Sequence, residues 1–591
     1  MRVVDYVCET LADHGVSAVF LVTGRGALFL TDGVAKSKRL RAVCTHHEQS
    51  ASFAAVARGQ LNNSVSACFV STGCASTNAI TGVLSAYQDG IPVVFVSGQN
   101  VLKETTAFTG LPLRTYGQQE ANIVEIVKPI TKYAAMLKDP ADIRFLLEKA
   151  LFLANDGKKG PVWIDIPLDL QSAQIEPDEL RSFGNVHAIT KQVSATDLSF
   201  LREKLSTAIR PVVLIGSGVR SADQCGALRR FVEENQLPVV YTPSSADVFP
   251  LSEELSIGSL GAMGCSRAGA LAVQNSDCLL VLGNRLSSLT TGVDYCKFAR
   301  GATIIVIDID EVEHQKSELR IDRLIVQDLR SFFAGFGTAR VTGDIAAWVG
   351  KCKYWKRRFC FEAFFSSTGP VDLYDLTRVL NRILDDDAVV VTDSGLIEVI
   401  LPSNLDYGPN RRAIHPVSQG AMGFSVPAAL GVADQGHQTV VVVGDGSIMM
   451  NLQELETIRA QKLPVKIVVI NNNVYSIIRR RQKELFRNRT IGTDPENGVT
   501  VPSFERVANL FGFSFFKVQD VSGLERGLKS ALSCEGPVIC EVMGKEDQAY
   551  IEISHAKNSQ GKFVRRPLED QWPFLDREDF LSEMIIDPID Q

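Results

Sequence analysis

The segment Thr439-Val-Val-Val-Val-Gly-Asp-Gly446 joins an uninterrupted apolar run to a turn of small residues that carries one carboxylate. Such a run is typical of a strand buried on both faces of a parallel sheet. Ser447 and a helical stretch that starts near Leu452 follow the turn. Backbone N–H groups at the start of a helix bind anions, and Asp445 would lie beside the bound group. A tight turn that binds nothing is the alternative interpretation.

A second, largely apolar run, Leu463-Pro-Val-Lys-Ile-Val-Val-Ile470, ends in Asn471-Asn-Asn473, and Asn472 lies 27 residues after Asp445. In a parallel sheet, the intervening helix returns the chain so that both strand ends lie side by side. Carboxylate and amide oxygens are ligands that Mg²⁺ prefers. The pair is therefore a candidate magnesium site, and a plain Asn-rich loop is the alternative.

The same plan recurs near the start of the chain, where Cys68-Phe-Val-Ser-Thr-Gly73 and Gly90-Ile-Pro-Val-Val-Phe-Val-Ser-Gly98 flank a helical stretch. Apolar runs alternate with helical stretches throughout, which predicts an α/β fold of three domains with parallel sheets flanked by helices. Irregular stretches at 172–195 and 338–372 divide the chain. The expected domains are residues 1–172, 190–338 and 370–550, followed by a tail at 551–591.

The overall composition excludes several classes of protein. Of 591 residues, 45% are hydrophobic and 22% charged, which excludes a disordered, collagen-like or coiled-coil chain. The net charge of −7 gives no reason to expect nucleic-acid binding, and no run of 18 apolar residues predicts a membrane span. Twelve cysteines without a C-x-x-C pair, and a start without a leader pattern, predict a reduced cytoplasmic protein.

Four features together resemble thiamine diphosphate (ThDP) enzymes: the Gly-Asp-Gly turn, the Asn pair, Gln453-Glu-Leu455 and Gln419-Gly-Ala-Met-Gly-Phe-Ser-Val-Pro427. The closest resemblance is to the acetolactate synthase-like flavoenzymes, and it extends over about residues 1–550. It implies the three-domain ThDP-binding fold. It also implies that Met422 wedges between the two rings of ThDP, while the Gly420 carbonyl accepts a hydrogen bond from the pyrimidine amino group.

The same resemblance assigns the ligands of the metal and the diphosphate. It implies that Mg²⁺ binds to Asp445, Asn472 and the carbonyl of Val474, and that the diphosphate binds to Gly446 and Ser447. These residues all follow one of the two apolar runs, Thr439–Val443 and Leu463–Ile470.

Thr45-His-His-Glu48 precedes a helical stretch and fits a capping box, with Thr45 at the N-cap and Glu48 at N3. It also resembles the His-Glu-Gln of the family. That resemblance implies that Glu48 touches the pyrimidine N1′ and exchanges the proton that switches the amino and imino tautomers. Burial that raises its pKa would suit this role. Gln119 matches a Gln that lines the substrate end of ThDP, so both residues are expected to be catalytic.

The central stretch Pro211-Val-Val-Leu-Ile-Gly-Ser-Gly218 fits a strand and a Gly-x-Gly turn, although Ser221 stands where a dinucleotide fingerprint has its third Gly. The segment resembles a domain that binds FAD as a structural cofactor. Ser287 and Leu289 replace an Asp and an Arg of the family pattern, and a flavin-free domain of the same fold is the alternative. The residues implied to bind FAD are Gly216, Gly218, Thr242, Gly283, Arg285, Asp308 and Asp328.

The resemblance implies that pyruvate is decarboxylated and that its two-carbon acetyl unit passes to a carbonyl acceptor. Arg479, Arg480 and Arg481, the last in place of a family Trp, are candidate ligands of a phosphorylated acceptor, or else a solvated helix face. Pro567–Asp576 resembles enzymes of yersiniose synthesis, which favours a CDP-linked 4-keto-deoxysugar as acceptor. Acetolactate synthesis from two 2-oxo acids, simple decarboxylation and an inactive regulatory subunit are the alternatives. The family also implies a homodimer or homotetramer with ThDP between subunits.

Overall fold

The computed structural model describes residues 1–184, 192–316, 318–337, 340–361 and 368–589. The expected domain boundaries at 190 and 338, and the expected end of the tail at 591, lie outside these residues. Three six-stranded sheets organise the described ranges, and all neighbouring strands within them are parallel. Helices flank the sheets, so the predicted α/β fold with three parallel sheets is confirmed.

The strands of the first sheet are β1 (Ala18–Leu21), β2 (Arg41–Cys44), β3 (Ser66–Val70), β4 (Val93–Gln99), β5 (Tyr133–Met136) and β6 (Val162–Pro167). The helices of this unit are α1 (Val3–Asp13), α2 (Leu28–Lys36), α3 (Glu48–Asn62), α4 (Cys74–Asn78), α5 (Ile80–Asp89), α6 (Thr106–Thr109), α7 (Ile123–Val127), α8 (Ile143–Asn155) and α9 (Leu168–Gln171). The strand order is β2-β1-β3-β4-β6-β5, and the apolar strands β3 and β4 are buried throughout.

The strands of the central sheet are β7 (Pro211–Ile215), β8 (Val239–Tyr241), β9 (Ser256–Ser259), β10 (Cys278–Leu282), β11 (Thr303–Asp308) and β12 (Arg323–Val326). Its helices are α10 (Ala195–Thr207), α11 (Gly218–Ser221), α12 (Cys225–Asn235), α13 (Arg267–Gln274), α14 (Ser288–Thr291), α15 (Leu329–Phe336) and α16 (Ala346–Arg358). The order β12-β11-β10-β7-β8-β9 is that of dinucleotide-binding folds, whose ligands bind where the order reverses, here between β7 and β10.

The strands of the third sheet are β13 (Val389–Thr392), β14 (Arg412–Ile414), β15 (Thr439–Gly444), β16 (Lys466–Asn471), β17 (Ser514–Val518) and β18 (Val538–Met543). Its helices are α17 (Leu373–Ile383), α18 (Leu396–Asn404), α19 (Ser425–Val432), α20 (Glu454–Ala460), α21 (Ser476–Leu485), α22 (Phe504–Phe511) and α23 (Val521–Ser533). The order β14-β13-β15-β16-β18-β17 repeats that of the first sheet. The two units therefore share one topology, as their similar sequence plans suggest.

The first and third units pack on each other through α3 and α19. The rings of Phe53 and Phe424 lie 5.2 Å apart, edge to face, in one continuous apolar core. Gly431 is required at the crossing, because a Cβ there would lie 2.2 Å from the Ala54 carbonyl oxygen. This contact places the beginning of α3, where Glu48 lies, next to the third unit.

The segment expected to be a tail is folded against the central unit. It contains the antiparallel pair β19 (His555–Lys557) and β20 (Phe563–Arg565), followed by α24 (Arg577–Glu583). The buried carboxylate of Glu583 pairs with Lys351 and Arg358 of α16. Helix α16 lies in a stretch that the sequence marked as irregular, and that interpretation is wrong there. The basic residues of α16 are paired, some with the tail and others, such as Lys353 with Glu254, within the central unit.

All twelve cysteines are free thiols. Within the described ranges, no helix is both long enough and apolar enough to cross a membrane.

Candidate active site

The Asp445 turn and the loop Asn471-Asn-Asn473 lie side by side, as their spacing predicts. Strands β15 and β16 are neighbours, and Gly444 pairs with Ile470 at their ends. The backbone N–H of Asn473 donates to Asp445 Oδ2 at 2.6 Å. The residues expected to hold the metal and the diphosphate therefore meet at one edge of the third sheet: Asp445, Gly446, Ser447, Asn472 and Val474.

Asp445 has the properties expected of a cation ligand. It is 3% exposed, and burial raises its pKa to about 6. Its oxygens accept backbone N–H groups, and no Lys, Arg or His of the described ranges forms an ion pair with it. A buried carboxylate without a counter-charge is costly, and a bound cation would remove that cost. The residues present therefore fit Mg²⁺.

The rest of the metal's ligands would be neutral oxygens. In the ranges that the structure covers, no group of three or more His, Cys, Asp and Glu could hold a metal. Asn472 Oδ1 lies 3.3 Å from the N–H of Val474, so the amide oxygen is at the same loop as the Val474 carbonyl. An octahedral Mg²⁺ site built from one carboxylate, one amide, one carbonyl and phosphate oxygens agrees with this donor set.

Tyr475 covers the turn Asp445–Ser447, which we call the diphosphate turn because it is expected to bind the diphosphate of ThDP. The sequence did not identify Tyr475 as a residue of this site. A Cβ on Gly446 would lie 2.0 Å from Cε1 of the Tyr475 ring, so that only glycine fits there. Burial and the neighbouring Asp445 carboxylate raise the pKa of the Tyr475 hydroxyl. The residue immediately precedes α21, so the position of that helix fixes where the ring lies over the turn.

Asp393 fixes the turn that carries Gly420 and Met422. Its buried carboxylate accepts the N–H of Gly423 at 3.0 Å and the N–H of Ser425 at 2.9 Å. The turn uses positive φ values at Gly420 (58°) and Gly423 (78°), which glycine adopts without strain. The Met422 residue on this turn is half-buried. The sequence contains a signal that could have identified Asp393: this residue directly follows the apolar strand β13, just as Asp445 directly follows β15.

Glu48 and Gln119 border the same turn at the carboxyl edge of the first sheet. Asn78 Nδ2 donates to Glu48 Oε2 at 3.0 Å. A Cβ on Gly73 would lie 1.8 Å from the Gln119 carbonyl oxygen, so the two loops touch there. Glu48 is half-buried and Gln119 is exposed. Gly73 and the short helix α4 therefore bring the two expected catalytic residues to one edge.

The capping box predicted for Thr45 and Glu48 is wrong. Helix α3 begins at Glu48, and its N-cap is His47, whose Nδ1 accepts the N–H of Gln49 at 3.2 Å. Thr45 Oγ1 donates instead to the His47 carbonyl, at 2.9 Å. Because His47 caps the helix, the Glu48 carboxylate is left to face Asn78.

The first and third units are linked directly beside Glu48. Asn451 Nδ2 lies 3.2 Å from Gln49 Oε1 and 2.9 Å from the Gly423 carbonyl. Among the residues that the structure describes, Glu48 forms no hydrogen bond or ion pair with Asp445 or with the Met-bearing turn. Beside Glu48, the two units are therefore joined through Asn451 rather than through contacts of Glu48 itself.

A cavity of about 470 Å³ lies where the central unit meets the other two. A Cβ on Gly218 would lie 2.7 Å from Gly283 Cα, and a Cβ on Gly216 would lie 2.3 Å from the Gly283 carbonyl oxygen. The three glycines thus let the turns after β7 and β10 approach each other. The cavity is lined by all seven residues expected to bind FAD: Gly216, Gly218, Thr242, Gly283, Arg285, Asp308 and Asp328.

The cavity also carries hydrogen-bond acceptors that have no partner within the described ranges. Glu398 lines it, and burial, together with nearby carboxylates, raises the pKa of this residue well above its usual range. Acceptors of this kind suit hydroxyl and imide N–H groups, which a flavin nucleotide carries, so the lining fits FAD. Buried side-chain oxygens that have no hydrogen-bond partner within the described ranges belong to Gln60, Gln88, Asp89 and Gln419.

Gly218→Ala is expected to abolish flavin binding without unfolding the protein. The added methyl group would force apart the two turns that form the nucleotide end of the cavity. Gly226→Ala is the matched control in the same unit, because a Cβ there meets only Arg230 Nη1, at 3.8 Å. Flavin absorbance after gel filtration measures the effect. Full flavin content in the Gly218 variant would contradict the assignment of the cavity.

Asp89→Asn is expected to stabilise the protein at high pH. Burial raises the pKa of Asp89 from 3.8 to about 6, so between these values the folded state keeps a proton that the unfolded chain has lost. Stability therefore falls as the pH rises through this window. The amide keeps an acceptor for the Ser418 N–H. Denaturant unfolding should show a gain of about 3 kcal/mol near pH 8 and little near pH 4. An equal gain in stability at both pH values would contradict the raised pKa of Asp89.

The three arginines proposed for the acceptor lie on α21 and are paired with carboxylates. Arg479 is buried, with Glu546 at 3.0 Å. Arg480 and Arg481 both contact Glu552, at 2.5 and 2.8 Å. Their charges are therefore balanced within the chain rather than facing solvent as a set. The Arg481 side chain, 44% exposed, remains accessible to a ligand.

Three family models of thiamine pyrophosphate enzymes match the chain. The N-terminal TPP binding domain matches residues 1–126, the central domain 198–335 and the C-terminal TPP binding domain 393–542. Together they cover more than half of the chain, and each contains strands of one of the three sheets.

Curated relatives match over nearly the whole length. The acetolactate synthase large subunit of Parasynechococcus marenigrum is 32% identical over 90% of this chain and 86% of its own. Acetolactate synthase 2 of Nicotiana tabacum is 30% identical, over 91% and 81%. The large subunit of Lactococcus lactis is 29% identical, over 91% of each chain. The chain therefore belongs to the thiamine diphosphate-dependent decarboxylases and carboligases, with acetolactate synthases among its relatives.

Proposed function

We propose that the protein decarboxylates pyruvate and joins the resulting two-carbon unit to a carbonyl acceptor, with ThDP and Mg²⁺ as cofactors. The observation that carries this proposal is the meeting of Asp445 with the Asn471-Asn-Asn473 loop at adjacent strand ends. Bound ThDP would supply the electron sink for the pair of electrons that the departing CO₂ leaves behind.

The residues of the third unit hold the cofactor in this proposal. Asp445, Asn472 and the Val474 carbonyl bind Mg²⁺, and the N–H groups of Gly446 and Ser447 bind the diphosphate. The turn supported by Asp393 presents the Gly420 carbonyl to the pyrimidine amino group and the Met422 side chain to the space between the rings.

Glu48 moves the proton at the pyrimidine N1′. The Asn78 amide donates to one oxygen of its carboxylate, which restrains the side chain and leaves the other oxygen free to exchange the proton. Gln119, on the neighbouring loop, lines the substrate end. Glu48 and Asp445 make no direct contact in one chain, which supports a homodimer or homotetramer in which the two residues serve one cofactor from different subunits.

FAD occupies the central cavity in this proposal and has a structural role, because joining a two-carbon unit to a carbonyl requires no net oxidation or reduction. The cavity lining supports this assignment, since it combines the glycine turns after β7 and β10 with side-chain oxygens that have no partner within the described ranges. Ser287 and Leu289, which depart from the family pattern, also line the cavity.

The acceptor that the relatives' names favour is a second 2-oxo acid, which would give acetolactate from two molecules of pyruvate. A CDP-linked 4-keto-deoxysugar, as in yersiniose synthesis, is the second candidate. It is supported by Arg481, whose exposed guanidinium stands where the family has a Trp, although its pairing with Glu484 and Glu552 weakens that argument.

A product assay tests the proposal. The enzyme is incubated with ThDP, Mg²⁺, FAD and ¹³C-labelled pyruvate, with and without a CDP-4-keto-deoxysugar, and products are identified by mass spectrometry. Labelled acetolactate, equal in both reactions, supports the 2-oxo acid acceptor. A labelled two-carbon adduct on the sugar supports the second candidate. No consumption of pyruvate in either reaction contradicts the proposed function.

A further inference from the structure

A buried carboxylate joins α21 to the rest of the molecule. Glu552 is 1% exposed, and its two oxygens face the guanidinium groups of Arg480 and Arg481. The Arg480 guanidinium lies 5.2 Å from the ring centroid of Tyr550 and 4.7 Å from that of Trp572. Removing the charge of such a carboxylate leaves two cations without their buried partner, so the contact is sensitive to substitution.

The backbone of the same residue lies between two other parts of the chain. On one side, the N–H and carbonyl of Glu552 pair with Trp572 of the folded tail, at 2.9 and 2.8 Å. On the other side, Gly264 N–H donates to the Ile551 carbonyl at 2.6 Å, and Ile553 N–H donates to the Ala262 carbonyl at 2.9 Å. We call residues 551–553, with these neighbours, the Glu552 junction.

The Glu552 junction lies between the two candidate cofactor sites and is connected to each of them. Gly261 and Met263, in the loop that pairs with the junction, line the central cavity. At the other end, the junction holds α21, and Tyr475, the residue before this helix, lies on Gly446 of the diphosphate turn. Hydrogen bonds and ion pairs thus lead from the cavity wall to Arg480 and Arg481, and the backbone of α21 leads from these residues to Tyr475 over the diphosphate turn.

We propose that Glu552 is a positioning residue through which nucleotide binding in the central cavity and diphosphate binding at the Asp445 turn favour each other. A ligand that orders the Gly261–Gly264 loop fixes the junction, which fixes α21 and the Tyr475 ring over the turn. Because coupling of two binding equilibria is reciprocal, ThDP must strengthen FAD binding by the same factor. This inference rests on the proposed cofactors, and it gives the structural flavin a defined role.

Binding measurements test the coupling without any catalytic readout. Calorimetry gives the dissociation constant of ThDP, with Mg²⁺ present, for protein depleted of both cofactors and for protein reloaded with FAD. We expect FAD to tighten ThDP binding of the unsubstituted protein by about 5-fold or more. In Glu552→Gln the two constants should become equal. Glu484→Gln is the matched control, because Glu484 pairs with the same arginines from the exposed side of α21.

The outcomes separate this inference from the proposed function. If ThDP and FAD both bind but FAD leaves the ThDP constant unchanged, or if Glu552→Gln keeps the full coupling, Glu552 has no positioning role and the function stands. If ThDP with Mg²⁺ does not bind at all, the proposed function itself is wrong. Arg481→Gln, which removes one exposed partner of Glu552, repeats the test should Glu552→Gln fail to fold, and it should also weaken the coupling.

Discussion

Glu48→Gln is expected to slow pyruvate consumption by about 10²–10⁴-fold while leaving ThDP bound. The amide keeps an oxygen that can accept from Asn78 Nδ2, so the local geometry is preserved. What the variant loses is a group able to take up and release a proton at the pyrimidine N1′. Steady-state assays of pyruvate consumption measure the rate, and calorimetry of ThDP with Mg²⁺ checks that the cofactor still binds.

Two further variants make the Glu48 result specific. Glu9→Gln, on an exposed face of the same unit where Glu9 pairs with Arg39, should retain full activity. Asn78→Ala should lose less than Glu48→Gln, because it leaves the carboxylate present but less well oriented. A Glu48→Gln enzyme with full turnover would show that another group moves the proton.

The meeting of the Asp445 turn with the Asn471-Asn-Asn473 loop was predictable because its determinants are local. An apolar run sets each strand, the helix between them returns the chain, and the handedness of the crossover leaves neighbouring ends together. The contact between Asp445 and the N–H of Asn473 follows from that rule alone. The seven residues expected to bind FAD were identified by resemblance to the family, since a Gly-x-Gly turn without its third Gly is too common to identify a nucleotide site.

The remaining contacts depend on distant parts of the chain, and the sequence does not show which partners meet. Arg481 pairs with Glu552, which is 71 residues away in the chain. The sequence alone therefore does not distinguish an arginine that binds the acceptor substrate from one that forms an internal ion pair. Tyr475 can lie over the turn only because Gly446 has no side chain, and the helix that follows Tyr475 sets the position of its ring. The capping box failed for a different reason: N-cap propensity favours Thr over His, but Thr45 Oγ1 donates to the His47 carbonyl, and α3 begins two residues later than a Thr45 cap requires.

Asp445→Asn is expected to abolish the stabilisation that ThDP and Mg²⁺ together give the folded protein. A ligand that binds only the folded state adds RT ln(1 + [L]/Kd) to its stability, about 2.7 kcal/mol when the ligand is at 100 times its Kd. The variant loses the one carboxylate among the proposed protein ligands of the metal, so the gain in Tm on adding both cofactors should vanish.

The unliganded Asp445→Asn protein should melt close to the unsubstituted one, because two effects oppose each other. Burial raises the pKa of Asp445 to about 6, so removing its charge near neutral pH relieves an unfavourable burial. The amide, however, has only one acceptor oxygen, whereas the carboxylate accepts from both Gly446 and Asn473. Asn473→Gly is the control, since Asn473 contributes only its N–H to Asp445 and has a φ of 57° that glycine tolerates. A cofactor-induced rise in Tm that survives in Asp445→Asn would place the metal elsewhere.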